Sequence, residues 1–289
     1  MSTTRQELLA HFDGLLQPER FKDYGPNGLQ VEGRGEIRRI VSGVTASRAL
    51  IEAAIEAQAD AIFVHHGLFW RGMDGRITGW LKERIRLLLA HDINLFAYHL
   101  PLDAHPQWGN NAQLGVQLGL EGQATFGEQN LGWMAAAEFA DAAALGRHVE
   151  QALGRTPVCV GGERLRPIHP IRRIAWCTGG AQGFFEAAIA AGADAFITGE
   201  ISEPQAHLAR ETGVAFLAAA TMPRSAMVRR PWRGRWHWSW GWSTVSSRST
   251  IRPDAGLLVA HYWPAQGARP FAASAARMTG LPDPDTENA

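Results

Sequence analysis

Cysteine is nearly absent: Cys159 and Cys177 are the chain's only two. That excludes a disulfide scaffold, and neither thiol lies in a paired metal-binding spacing, so both read as reduced core or strand residues. Net charge is lacking as well. The 28 basic and 28 acidic residues balance, leaving no global field to attract nucleic acid or an anionic membrane. Nowhere do eighteen apolar residues run together, and MSTTRQELLAHF mixes charged with apolar side chains. Neither a transmembrane helix nor a signal core is read, and a cytoplasmic protein with no membrane partner is the expectation.

What the 289 residues do contain is alternation of helix and strand signals. Thr4-Arg5-Gln6-Glu7 fits a capping box leading into the helix ELLAHFDGLL. Gly25-Pro26-Asn27-Gly28 must be loop, read as a simple connection that could also line a site. From Ile37 the pattern runs strand, helix, strand (IRRIVSGVTA, SRALIEAAIEAQAD, AIFVHHG), then a helix over Gly79–Asp92 and the strand INLFAYHL. The fold class is therefore α/β, with a mainly parallel sheet. Gly132–Gly162 reads as a smaller inserted strand-helix-strand unit with a packing or assembly role.

The earlier pattern then returns. IRRIAWCTGGAQGFFEAAIAAGADAFITGE, from Ile171, aligns without a gap on IRRIVSGVTASRALIEAAIEAQADAIFVHH, from Ile37. Identical spacing through strand, helix and strand implies an internal duplication and two similar, interlocked α/β lobes. The expected divisions are 1–125 for the first half, 126–168 for the inserted unit and linker, 169–218 for the second half and 219–289 for a tail.

The chemistry gathers at strand ends, where open α/β sheets bind ligands. AIFVHHG is an apolar run stopping abruptly at His65 and His66. Adjacent histidines add nothing to a core and must be hydrogen-bonded, exposed or metal-bound. Alone, the pair reads as structural. Asp103, just past the next strand in Tyr98–His105, can lie beside it, and imidazole nitrogens with a carboxylate suit zinc, manganese, iron or nickel. His99 and His105 read as supporting or surface residues, and Glu200 and His207 as further contributors, Glu200 rather as a structural carboxylate. In the duplicated register Gly199 and Glu200 fall opposite His65 and His66. CTGGAQG, beginning at Cys177, matches neither a P-loop nor a dinucleotide fingerprint and reads as a tight strand-to-helix turn.

The segments GPNGLQVEG, VHHGLFW, HLPLDAHPQWGNNAQLG, CTGGAQGFFEAA and DAFITGEISEPQAHLARE together resemble the dinuclear-metal hexameric ring family, the NIF-three-like proteins or GTP cyclohydrolase 1 type 2 homologues. The likeness runs from Met1 to about Ala218. It implies a two-lobed α/β subunit, six of which form a hollow ring, with a pair of divalent ions in each inter-lobe cleft. By the same likeness His65, His66 and Asp103 are metal ligands, completed by a histidine and a glutamate four residues apart in a GHHATE motif near the C-terminus.

That motif is missing. After GVAFLAAA the chain reads TMPRSAMVRRPWRGRWHWSWGWSTVSSRST, where tryptophan and arginine crowd in and helical periodicity stops. Reading codons displaced from the third base of Ala219 permits GHHATERYG. Val245 to Pro253 permits FIEVDNPA, and Asp254 then permits a stop. Residues from about Ala219 onward read as out-of-frame translation, and the tail is expected to be poorly ordered and to impair the site. His237 and His261, in that tail, have no reason to replace the lost ligands. The functional expectation is a metal-dependent hydrolase-like enzyme acting on a small molecule, with His99 or Glu200 as proton-transfer groups. The alternative is a non-catalytic metal-binding scaffold or metal-handling protein.

Overall fold

The computed structural model describes residues 2–162 and 170–219, together with the backbone of four strands between 226 and 261. In chain order the first part contains β1 (Thr3–Thr4), α1 (Arg5–Leu16), β2 (Gly28–Val31), β3 (Glu36–Ile37), β4 (Arg39–Thr45), α2 (Arg48–Glu56), β5 (Ala61–His66), α3 (Gly79–Ala90), β6 (Asn94–Ala97), α4 (Leu100–Ala104) and α5 (Asn110–Leu118). The second contains β7 (Ala124–Phe126), β8 (Gly132–Phe139), α6 (Ala142–Leu153), β9 (Val158–Val160), β10 (Ile171–Trp176), α7 (Phe185–Ala190), β11 (Ala195–Thr198), α8 (Glu203–Thr212) and β12 (Ala215–Ala218). Four strands follow: β13 (Ala226–Trp232), β14 (Arg235–Gly241), β15 (Ser249–Thr250) and β16 (Leu258–His261). The expected disorder of the tail concerns positions mostly outside the described residues.

The α/β class holds. The capping box forms as read: Thr4 accepts from the Glu7 amide while the Glu7 carboxylate accepts from the Thr4 amide. A six-stranded sheet has the order β15-β16-β4-β5-β6-β2, in which β16, β4, β5 and β6 run parallel and β2 antiparallel to β6. Strict alternation along β5 explains how it is covered on both faces. Ile62 and Val64 pack with Leu50 and Ile51 of α2 and Leu81, Ile85 and Leu88 of α3. Ala61 and Phe63 pack with Leu8, Phe12 and Leu16 of α1. A strand buried on both sides must be apolar throughout, as AIFV is.

The second sheet has the order β7-β8-β10-β11-β12-β9, with β10, β11 and β12 parallel and β8 and β9 antiparallel on either side. The segment read as an inserted unit thus supplies β8 and β9 to this sheet and α6 to its cover. Leu145 and Val149 of α6 join Leu114 and Leu118 of α5 over Ile174, Ile197 and Leu217, while Phe185 and Ala209, from α7 and α8, cover Phe196 and Phe216. Among the described residues no helix is long and apolar enough to cross a membrane.

Candidate metal centre

Two neighbouring strand ends deliver the polar groups. β5 and β6 are parallel partners, so their carboxyl ends emerge together. The Tyr98 amide donates to the Val64 carbonyl, extending the ladder one step and carrying His99 to the level of His66. The ring centroids of His65 and His66 lie 4.4 Å apart, and those of His65 and His99 4.8 Å apart. One nitrogen from each of His65, His66 and His99 falls within 4.8 Å of the others, a group that could hold a metal ion. Trp70 sets its edge against His99, with 5.1 Å between ring centroids, and Tyr24 does so at 6.1 Å.

Each imidazole has a fixed partner. His65, only 4 % exposed, donates from Nδ1 to the Tyr98 carbonyl at 3.2 Å; a carbonyl can only accept, so Nε2 keeps its lone pair and lies 3.6 Å from Asp103 Oδ1. His66 Nδ1 lies 3.1 Å from Thr45 Oγ1. His99 Nδ1 lies 2.7 Å from Asp23 Oδ1.

Asp103 sits on α4, a single turn opened by Pro101, whose missing amide hydrogen costs nothing at that position. Its Oδ1 accepts from Asn110 Nδ2 and from Thr178 Oγ1, the latter at 3.5 Å. Asn111, fully buried, fastens the second sheet to this point. Its Nδ2 donates to the Leu131 carbonyl (2.9 Å), its Oδ1 accepts from the Thr178 amide (2.7 Å), and its carbonyl accepts from Trp176 Nε1 (2.9 Å). Asp103 therefore touches groups from both sheets.

Burial governs the electrostatics. It pushes His65 down to about 3, aided by nearby His99, and His66 down to about 4, aided by His65 and His99. Burial also lifts Asp103 to about 6, against the lowering effects of His99 and Asn110. Burial opposes charge on His99, but hydrogen bonding to Asp23 and attraction to Asp103 outweigh it and raise this imidazole. Burial likewise opposes charge on Asp23, yet hydrogen bonds from His99 and Asn27 hold its carboxyl below the usual range. At neutral pH His65 and His66 are uncharged nitrogen donors beside a reluctant carboxylate. That donor set fits a divalent transition ion, whose charge would relieve the carboxylate and whose binding needs neutral imidazole.

The other candidates separate clearly. His105 turns back to accept from the Gln107 and Trp108 amides and stacks on Trp108. His207 lies on exposed α8, 3.4 Å from Glu203. Glu200 follows β11, and its Oε2 lies near Gly180, across the Thr178–Gly180 turn. The Cys177 thiol is buried, which pushes its pKa up and leaves it inert. Sequence reasoning did not name Asp23, Asn110, Asn111 or Thr178, and took Asn27 only as part of a connection that could line a site. The Gly25-Pro26-Asn27-Gly28 stretch was the available signal, since Asn27 binds both Asp23 and the His99 amide.

Comparison with known proteins agrees with this architecture. A curated protein of Neisseria meningitidis serogroup A, named GTP cyclohydrolase 1 type 2 homolog, is 54% identical over 216 residues, covering 74% of this chain and 85% of the relative. A Pseudomonas aeruginosa protein of the same name is 51% identical over 225 residues, covering 76% and 86%. Among solved structures, protein ybgI, described as of unknown function, superposes with a TM-score of 0.71 at 44% identity, covering 75% of this chain and 87% of that one. A Thermus thermophilus protein does so with 0.64 at 31%, covering 75% and 86%. The sequence profile of Duf34/NIF3 (NGG1p interacting factor 3) matches residues 3–221, and the chain belongs to that family.

Proposed function

We propose that this chain is a divalent-metal-binding protein whose centre serves a hydrolase-like reaction on a small-molecule substrate. One observation carries the reading: three imidazoles, two of them held neutral by burial, converge within 4.8 Å beside Asp103 at the carboxyl ends of a parallel sheet. His65, His66 and Asp103 would hold the ion, with His99 facing the same point. A bound ion supplies Lewis acidity toward a carbonyl, phosphoryl or water oxygen. The chain's own groups do the rest: Thr45, Tyr98 and Asp23 orient the imidazoles, Trp70 walls the site, and Asn110 and Thr178 hold the carboxylate.

The site completes itself, in this reading, only in the displaced frame. The family match stops at residue 221, and the separate alignment with the Neisseria relative covers 85% of that protein but only 74% of this chain, which supports out-of-frame translation from about Ala219. A frame-corrected chain would regain the GHHATE histidine and glutamate, bind two ions and assemble as a hexameric ring in the cytoplasm. The relatives' name describes those proteins and leaves the substrate open.

The test compares printed and frame-corrected proteins, each with and without His65→Ala. Metal content is measured first, then turnover of nucleotides, cyclic amides and phosphoesters with manganese, iron or zinc. The expected result is metal in the corrected protein, a loss exceeding about 100-fold in affinity in His65→Ala, and turnover lost with it. Metal without turnover across the panel would replace the hydrolase with a metal-handling scaffold. Equal metal content with and without His65 would overturn the centre itself.

A further inference from the structure

We infer that Asp23 is the positioning residue that fixes the tautomer of His99 and so turns its Nε2 lone pair toward His65 and His66, making His99 a third nitrogen donor of the centre. The inference rests on the metal-centre reading for its consequence, though not for its geometry.

Asp23 Oδ1 lies 2.7 Å from His99 Nδ1. Its other contacts leave the carboxylate no reason to carry a proton. Oδ2 accepts from Asn27 Nδ2 at 2.9 Å and from the Leu100 amide at 2.8 Å, and Oδ1 accepts from the Tyr24 amide at 2.6 Å. A carboxylate surrounded by donors can only accept, so the shared hydrogen belongs to His99 Nδ1, and Nε2 of the neutral ring is bare. Carboxylate–histidine pairs of this kind fix ring orientation and raise ligand basicity in metal sites.

The carboxylate is itself held in place. Its side chain is 3 % exposed. The Asp23 carbonyl accepts from Arg71 Nη2 at 2.6 Å, and the Tyr24 carbonyl accepts from the Arg71 amide at 2.5 Å, stapling the segment to the stretch after His66. Asn27 Oδ1 accepts from the His99 amide at 2.7 Å, so the ring is gripped at backbone and side chain by one loop. Gly25 permits the close approach, since a Cβ there would collide with the Phe69 carbonyl. The loop runs into β2, whose Gly28 pairs with Ala97 of β6. Beyond that pairing, Asp23 and Asn27 reach the His99 ring, the His99 amide and the Leu100 amide that opens α4.

The experiment is nitrogen-detected imidazole NMR on the metal-free full chain, at a pH where His99 is neutral, in wild type and Asp23→Asn. His99→Gln assigns the resonance. The expected spectrum shows His99 protonated at Nδ1 in wild type and shifted toward the Nε2 tautomer, or a mixture, in Asp23→Asn. Cobalt(II) titration is then expected to show a 10- to 100-fold weaker affinity in Asp23→Asn, with loss of nitrogen-donor character in the visible bands, partly restored in Asp23→Glu. A wild-type His99 protonated at Nε2 overturns the inference, and it does so even where Asp23→Asn fails to fold. Unchanged cobalt affinity and spectrum in Asp23→Asn, with affinity lost in His65→Ala, overturns the third-donor role while leaving the centre standing. Absence of cobalt binding in the wild type sinks the centre alone, and the tautomer still decides the positioning.

Discussion

The segments β4–α2–β5 and β10–α7–β11 make the same hydrogen bonds at aligned positions and end in different chemistry. Asp60 accepts from the Arg38 and Arg39 amides at 2.8 and 2.9 Å, and Asp194 accepts from the Arg172 and Arg173 amides at 2.9 and 2.8 Å. Arg39 donates to the Ala57 carbonyl as Arg173 does to that of Ala191. The Ala59 amide returns to Ala54 as that of Ala193 does to Ala188. Yet β5 closes in His65-His66, whereas the equivalent positions after β11 are Gly199 and Glu200. The lesson is that the frame lies at the amino ends of the strands, where a carboxylate must satisfy two amides. The carboxyl ends are free to diverge.

Removing the frame carboxylates should break the comparison most. Asp60 is buried and also pairs with Arg34 at 2.9 Å, whereas Asp194 is half-buried and has no ion pair among the described residues. Asp60→Ala is expected to cost about 3–5 kcal/mol, and Asp194→Ala about 1–3 kcal/mol. Urea unfolding with unchanged slope would measure both. Equal losses would mean that burial and the Arg34 pair add nothing to the shared hydrogen bonds.

Acid should act chiefly through the first sheet. His65 and His66 have native pKa values of about 3 and about 4, depressed from the ordinary 6.5. Between those values the unfolded chain binds more protons, so their contribution is present above pH 6.5 and falls away as pH drops toward 3. Asp103 runs the other way: raised to about 6 from 3.8, it favours the native state more as pH falls through that window. Two imidazoles outweigh one carboxylate, so the chelated protein should lose stability on acidification. His65→Asn should flatten that limb by about 3 kcal/mol between pH 6.5 and 4. An unchanged limb would show that His65 is not buried neutral.

The smallest effect sharpens the comparison at one turn. Gln58 and Gly192 occupy the same left-handed position, at φ 52° and 80°. A Cβ at Gly192 would lie 2.6 Å from Arg173 Nη1. Gly192→Ala should therefore cost about 1–2 kcal/mol in thermal or urea unfolding, whereas Gln58→Gly should change stability by less than about 1 kcal/mol.

The sequence announced whatever has a period or an abrupt stop. AIFVHH declares a doubly buried strand ending in polar groups, the Thr4–Glu7 box marks a helix start, and the repeat from Ile171 shows in its spacing. Contacts across long separations carry no such mark. Asp23 meets His99 over a sequence separation of 76 residues, and Asn111 meets Thr178 over 67, so neither residue's neighbourhood in sequence hints at its partner. Leu100, read as the end of the strand INLFAYHL, instead opens α4, because Pro101 favours a first turn and Asp103 is held by Asn110.

Asn111 also makes a single nitrogen decisive. Exchanging that nitrogen for oxygen, as Asn111→Asp does, would leave a side chain of nearly unchanged size that, once ionised, has no hydrogen to offer the Leu131 carbonyl. Two acceptors would then face each other at a fully buried position, on the same side chain that accepts from the Thr178 amide. One atom in the interior thus bears on how firmly Thr178 is held against Asp103, where groups from both sheets meet.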